Sequence, residues 1–223
     1  MTTVVAFDVN ETLLDLRSLD PAFEELLGTS ALRGQWFAQM LQLSFVGGLT
    51  GNYVDFRQAQ EAALRMIAER AGKAITDADV TTMVDRMNTL PPHREVPRAL
   101  AELRDTRLKI VALVNSLRSV GEAQLTNAGI RQFFDDVISA DEVRKLKPSP
   151  EPYQLVADRF QVPLSEVRLV AAHSWDISGA LAAGARAAFV ARPGMVVSPI
   201  GARPDIIASD IDATVKAIIA ADL

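Results

Sequence analysis

A doubly wound α/β fold carrying an inserted, all-helical subdomain is what this sequence predicts, on three observations. The chain opens with a short apolar, β-branched run, Val4 to Phe7, that ends in Asp8, the pattern of a parallel strand buried on both faces. From Asp20 to about Thr89, apolar residues recur at helical spacing with no strand-like alternation between them. After Pro97, helix and strand patterns alternate as far as Ala191, as a parallel sheet covered by helices requires.

The helical stretch divides into FEELL, WFAQMLQLSF, FRQAQEAALRMIAERAG and DADVTTMVDRM. Gly72 is placed to cap the end of the third segment, and Thr76 or Asp77 the start of the fourth. Pro91 and Pro92 stop the last. The expected division is therefore a core of residues 1–14 and 94–223 with a helical subdomain at 15–93. In the second half, ALAELRD, SVGEAQLTNAG, PEPYQLVADRF and SGALAAG read as helices, and LKIVALVN, DDVISA, VRLVAA and AAFVA as strands.

With 223 residues, 49% of them hydrophobic and 23% charged, the chain can bury one sizeable core with a smaller subdomain. The net charge of -5 comes without any basic block, so nucleic acid is not an expected partner and a small-molecule substrate is. Having no cysteine, the chain lacks disulfides, thiolate metal sites and a thiol nucleophile. Two histidines give little support to a histidine-based zinc site. No apolar run approaches the roughly 18 residues of a membrane span, and the N-terminus has no basic leader pattern. These features predict a cytoplasmic protein with no membrane partner.

In open α/β sheets the ligand crevice lies beyond the carboxyl ends of the strands. The polar residues placed there are Asp8 with Asn10 and Thr12, Asn115 with Ser116, and His173 with Asp176, while Lys147 falls in the loop after the short DDVISA strand. Two carboxylates and a lysine converging on one crevice suit nucleophilic displacement. An ionised Asp attacks carbon or phosphorus, a lysine keeps it ionised, and a second group helps water cleave the resulting ester. Read singly, an Asp at a strand end is as readily a turn former or a helix cap.

Together, FDVNETLLD at 7–15, LVNS at 113–116, KLKPSPEPY at 145–153 and SWDISGA at 174–180 resemble the ordered motifs of haloacid dehalogenase superfamily hydrolases, most closely the L-2-haloacid dehalogenase branch. The helical insertion falls where that superfamily carries its cap. The resemblance implies Asp8 as covalent nucleophile, Thr12 as the residue holding it, Lys147 as its charge partner, and Asp176 as the group that positions water. It implies that backbone amides beside Asn10 and near Asn115 and Ser116 hold the substrate carboxylate, and that Tyr153 orients the lysine or lines the site. No metal and no cofactor are implied. A homodimer through the apolar LQLSFVGGL segment of the helical block is a possible assembly.

The sequence departs from that branch at several positions. Phe37 follows Trp36 where the branch places an arginine that receives the halide, so only the positive edge of a ring is on offer. Val114 stands where a hydroxyl is usual, and His173 where an asparagine is. Phosphatases of the superfamily carry a general-acid Asp two residues after the nucleophile. Asn10 cannot protonate a leaving alkoxide, whereas a halide needs no proton. The reading is thus hydrolytic dehalogenation of a short 2-haloalkanoic acid. The alternatives are a magnesium-dependent phosphatase of the same superfamily and a homologue that binds a small molecule without turnover. His93, between Pro92 and Arg94, reads as an exposed hinge residue.

Overall fold

The computed structural model describes residues 1–223, which separate into two compact units, Met1–Asp15 with Pro92–Leu223, and Leu16–Pro91. The second unit is all helix: α1 (Asp20–Leu27), α2 (Leu32–Thr50), α3 (Phe56–Arg70) and α4 (Asp77–Asp85). Its ends follow local chemistry. The Asp55 carboxylate accepts the Gln58 amide at the start of α3, and Thr76 with Asp79 forms a capping box at the start of α4. Trp36 is buried here, its indole N–H donating to the Gln60 carbonyl at 2.9 Å and its ring 5.4 Å from that of Phe23. A buried indole with a satisfied N–H is a packing residue of this unit.

The first unit is built on six strands, β1 (Val4–Phe7), β2 (Lys109–Val114), β3 (Asp136–Ser139), β4 (Val167–Ala171), β5 (Arg186–Val190) and β6 (Ile206–Ala208). They pair in parallel in the order β3-β2-β1-β4-β5-β6. The chain winds outward from β1 on one side and from β4 on the other, so the strand order reverses at β1, the position where such sheets open a ligand crevice. All four residues of β1 are buried, and Phe7 is level with Ala112 and Val170, which puts Asp8 just past the sheet's edge. The covering helices are α5 (Val96–Arg104), α6 (Arg118–Asn127), α7 (Pro150–Phe160), α8 (Ser174–Ala183) and α9 (Ile211–Asp222).

Two differences from the sequence reading matter. Helix α8 starts at Ser174, four residues ahead of SGALAAG, because His173 has the extended backbone of an N-cap; Asp176 thereby lies in the first helical turn. Strand β6 and helix α9 lie in the stretch beyond Ala191, to which no element was assigned. Three strand residues are too few for a periodicity, and α9 is announced chiefly by its cap, the Asp210 carboxylate accepting the Ala213 amide at 2.8 Å. These last elements are tied down by Arg168. Fully buried in β4, it donates to Asp222 at 2.9 Å and to Asp205 at 2.6 and 3.0 Å. No helix of the protein is long and apolar enough to cross a membrane.

Helix α8 is brought against the Lys147 loop by Gly179. A methyl group there would lie 2.5 Å from Pro148 Cβ, 2.7 Å from the Tyr153 hydroxyl and 2.8 Å from the Pro148 carbonyl. Backbone on one side and a hydrogen-bonded phenol on the other leave nothing that yields easily. Gly179→Ala is expected to cost about 1–3 kcal/mol of stability, read as a lowered midpoint in urea unfolding; an unchanged midpoint would mean that the two elements separate freely.

Candidate active site

Beyond the end of β1 the chain turns sharply, with the Leu13 and Leu14 amides both returning to the Val9 carbonyl at 2.9 and 3.0 Å. The turn brings Thr12 back beneath Asp8. Thr12 Oγ1 accepts the Ala172 amide at 2.9 Å, so its own proton is directed to Asp8 Oδ2, 2.6 Å away. That same oxygen meets His173 Nδ1 at 3.1 Å, while Asp8 Oδ1 meets one donor, Lys147 Nζ, at 3.0 Å. The Asp8 carboxylate thus carries one cation on each oxygen.

Lys147 Nζ is shared with Asp176 Oδ2 at 2.7 Å, and Asp176 Oδ1 receives the Tyr153 hydroxyl at 2.6 Å. Lys147, Asp176 and Tyr153 are at most 1% exposed. The lysine's backbone is held from β2: Asn115 Oδ1 accepts the Lys147 amide at 2.8 Å and Asn115 Nδ2 donates to the Lys147 carbonyl at 3.4 Å. Tyr153 therefore orients Asp176 rather than the lysine, and being buried it does not line an open surface. Its hydroxyl can only donate to a carboxylate, which suits the group whose second lone pairs face inward.

Electrostatics follow from this packing. Burial works to raise Asp8, but the Lys147 charge, the His173 hydrogen bond and charge, and the Thr12 hydrogen bond together hold it far below the usual carboxylate range. Asp176 is displaced upward by its burial and by the Asp8 charge, against Lys147 and Tyr153. For Lys147, burial opposes the charge and the two carboxylates outweigh it, so its pKa rises. Burial likewise opposes a charged His173, yet hydrogen bonds and charges from Asp8 and Glu11 push it up to about 9. Its Nε2 lies 2.9 Å from Glu11 Oε2, so both ring nitrogens face carboxylate oxygens and both carry protons. The Trp175 ring stacks on His173 with centroids 5.4 Å apart and lies 5.9 Å from Lys147 Nζ, an aromatic face beside two cations.

Asp8, Thr12, Asn115, Lys147, Tyr153, His173 and Asp176 thus form one connected network. Ser116 adjoins it: its carbonyl accepts the Ser139 hydroxyl at 2.6 Å, and its own Oγ is buried without a hydrogen-bond partner. The Asn10 side chain is already engaged, Oδ1 accepting from Gln124 Nε2 at 3.0 Å. Val114 packs its methyl groups toward Gly121 of α6, filling apolar space where a hydroxyl had been the norm to look for. Phe37 is buried on α2 of the helical unit, 7% exposed. His93 corrects the reading of an exposed hinge. It is half-buried, its amide donates to the Leu13 carbonyl at 2.9 Å, and its Nε2 donates to the Glu11 carbonyl at 3.2 Å, so it braces the loop after β1. Sequence reasoning missed Glu11 and Gln124; the one local clue to Glu11 was its place inside the first motif.

Residues 2–184 match the family model described as haloacid dehalogenase-like hydrolase. Over 211 residues the chain is 32% identical to (S)-2-haloacid dehalogenase 2 of Pseudomonas sp. (strain CBS-3), spanning 93% of this chain and 92% of that one. It is 27% identical over 216 residues to haloacetate dehalogenase H-2 of Moraxella sp. (strain B), with 96% of each chain spanned. The structure of L-2-haloacid dehalogenase from Xanthobacter autotrophicus with chloropropionic acid covalently bound matches the whole of both chains, with a TM-score of 0.92 at 26% identity. The parallel-sheet α/β fold and the resemblance carried by the motifs are both upheld.

The charged His173 makes stability depend on pH in a definite direction. Its pKa is raised from 6.5 to about 9 on folding, so the folded state binds the extra proton between those values. That contribution, on the order of 3 kcal/mol, is fully present below the unfolded value and is lost as pH rises through the folded one. Urea unfolding between pH 6 and 10 is expected to show this loss in the wild type, and a His173→Leu variant to lack it; equal slopes would mean that the ring is neutral.

Proposed function

Since this chain belongs to the haloacid dehalogenase-like hydrolase family, we propose that it is a cytoplasmic enzyme that hydrolyses short 2-haloalkanoic acids to 2-hydroxy acids through an ester on Asp8. The observation that carries this reading is the asymmetric holding of that carboxylate. Thr12 and His173 occupy Oδ2, while Oδ1 meets Lys147 alone and keeps a lone pair for attack. Relatives named for (S)-2-haloacids and for haloacetate, and a structural neighbour with chloropropionic acid covalently bound, support the same substrate class.

In this mechanism Asp8 Oδ1 attacks the halogen-bearing carbon with inversion. The carbon–halogen bond breaks, and the halide leaves with its electron pair, needing no proton. Water then attacks Cγ of Asp8, positioned by Lys147 and Asp176, and the ester opens to the 2-hydroxy acid. Backbone amides beside Asn10, Asn115 and Ser116 receive the substrate carboxylate, joined by the buried Ser116 hydroxyl, which has no partner within the protein. Leu16–Pro91 serves as the family's cap subdomain, and the exposed Val46 and Leu49 on α2 favour a homodimer through that helix.

The donor set does not suit the magnesium ion of a phosphatase. The Lys147 ammonium already lies between the two carboxylates that would have to bind it, and no group of three or more His, Asp or Glu side chains is arranged to hold a metal. Asn10, engaged with Gln124, offers no acid for an alkoxide. Wild-type protein is expected to release halide from L-2-chloropropionate, bromoacetate or fluoroacetate with EDTA present, and Asp8→Ala to fall to the uncatalysed background. Absence of halide from all three, together with magnesium-dependent hydrolysis of p-nitrophenyl phosphate, would replace this reading with the phosphatase one.

A further inference from the structure

The mechanism just described uses His173 only to hold Asp8 Oδ2 and gives Glu11 no role, yet the pair they form is built at a structural cost. Glu11 has φ of 61°, the left-handed region that suits glycine and that other residues occupy at an energetic cost. The strained backbone presents the Glu11 carboxylate to His173 Nε2 at 2.9 Å, and the Glu11 carbonyl is held in turn by His93. A device that costs stability and leads directly to the nucleophile calls for a chemical purpose.

We infer that His173 and Thr12 form the oxyanion hole for hydrolysis of the Asp8 ester, and that Glu11 is the positioning residue that keeps His173 a cationic donor once the Asp8 charge has gone. The inference rests on the dehalogenase reading above. If Oδ1 is the attacking atom, it becomes the alkyl oxygen of the ester, and Oδ2 becomes the carbonyl oxygen. Oδ2 is the atom already facing two donors, Thr12 Oγ1 at 2.6 Å and His173 Nδ1 at 3.1 Å. Those separations are the ones at which fixed donors stabilise developing negative charge in a dry site. The Thr12 proton has no alternative direction, since its oxygen accepts the Ala172 amide.

Atoms and charge balance. Alkylation consumes the Asp8 anion and releases halide; His173 keeps both protons. Water oxygen bonds to Cγ, one water proton passes to solvent, and the electron pair of the carbonyl moves onto Oδ2, held by Thr12 and His173. The pair then returns, the bond from Cγ to the alkyl oxygen breaks, and the departing alkoxide takes the second proton of that water. Asp8 is again an anion, and the net release is one halide and one proton per turnover.

The need for Glu11 follows from the same count. Before alkylation, His173 faces two anions, Asp8 at Nδ1 and Glu11 at Nε2, while Lys147 pairs with the other oxygen of Asp8 and with Asp176. Forming the ester removes the first anion. Glu11, 2.9 Å from Nε2, is then the carboxylate that remains against a ring 6% exposed, where burial works to strip the proton. With Glu11 it stays charged for the step that uses it.

Rapid-quench single turnovers with L-2-chloropropionate separate halide release from lactate release, and intact-protein mass detects the ester. Glu11→Gln and His173→Leu are expected to slow ester hydrolysis ~10²–10³-fold more than they slow halide release, so that the adduct accumulates. Glu11→Gly, which relieves the positive φ while removing the carboxylate, should show the same block in hydrolysis. His173→Asn, which supplies a neutral donor, should recover part of the hydrolysis rate and lack the alkaline fall in that rate expected of the wild type as His173 loses its proton. Wild-type ester hydrolysis in Glu11→Gln and His173→Leu, or parallel loss of both steps with no adduct, overturns the oxyanion role while leaving the dehalogenase standing. No halide from the wild type itself overturns both.

Discussion

A single ammonium shared by two buried carboxylates organises this molecule. Lys147 Nζ lies 3.0 Å from Asp8 and 2.7 Å from Asp176, with all three side chains almost wholly removed from solvent. None of the three is tolerable alone in such a place, because an isolated buried charge costs several kcal/mol that only a partner can offset. The fold is arranged to deliver all three to one point. Asp8 comes from the end of the central strand, Asp176 from the first turn of the helix after β4, and Lys147 from the loop after β3, its backbone held by Asn115 at the end of β2. Loss of Lys147 would leave two carboxylates facing each other in the middle of the protein.

The same logic separates two of the buried cation networks of the core. Arg168 with Asp205 and Asp222 joins the last strand and helix to β4, remote in sequence and structural in effect: its partners are all satisfied and it borders no reactive group. The Lys147 network instead leaves Asp8 Oδ1 with one donor and the Ser116 hydroxyl with none. Burying charge without completing its hydrogen bonds is costly, and under the proposed reading the incompleteness is where an incoming anion and an electrophilic carbon would complete the set.

Much of this was legible in the sequence. The strands that carry Asp8, Asn115 and His173 are apolar runs bounded by polar residues, and parallel pairing forces their ends to one edge, so the convergence of these residues follows from periodicity alone. The boundaries of the α8 helix were less legible, since Ser174, Trp175 and Asp176 have no helical apolar spacing; what starts the helix is the extended backbone at His173. The direction of Tyr153 was illegible for a related reason. Whether a phenol three-quarters of a turn into a helix meets Lys147 or Asp176 depends on the closeness of α7 to α8, which Gly179 permits and no pattern along one chain reveals. Glu11 was hidden because an acidic residue in a loop after a strand is ordinarily solvated; only its positive φ and its contact with His173 distinguish it.

The departures from the motif pattern at positions 114 and 173 are physically linked to Glu11. Val114 withdraws a hydroxyl from the end of β2 and turns its methyl groups toward α6, so a hydrogen-bond donor near Asp8 has to come from elsewhere. His173 supplies it from β4's side, as a cation, and a second cation on Asp8 holds that carboxylate ionised more firmly than Lys147 alone would. A histidine introduced by itself would face desolvation that favours its neutral form, and the neutral ring could not donate at both nitrogens. Glu11 introduced by itself would add a third carboxylate to a site with one lysine, raising the pKa of the nucleophile that must stay ionised. Each substitution alone weakens the site; His173 and Glu11 together stay close to neutral in charge, and the strained turn at Glu11 is the geometric condition that lets the two meet.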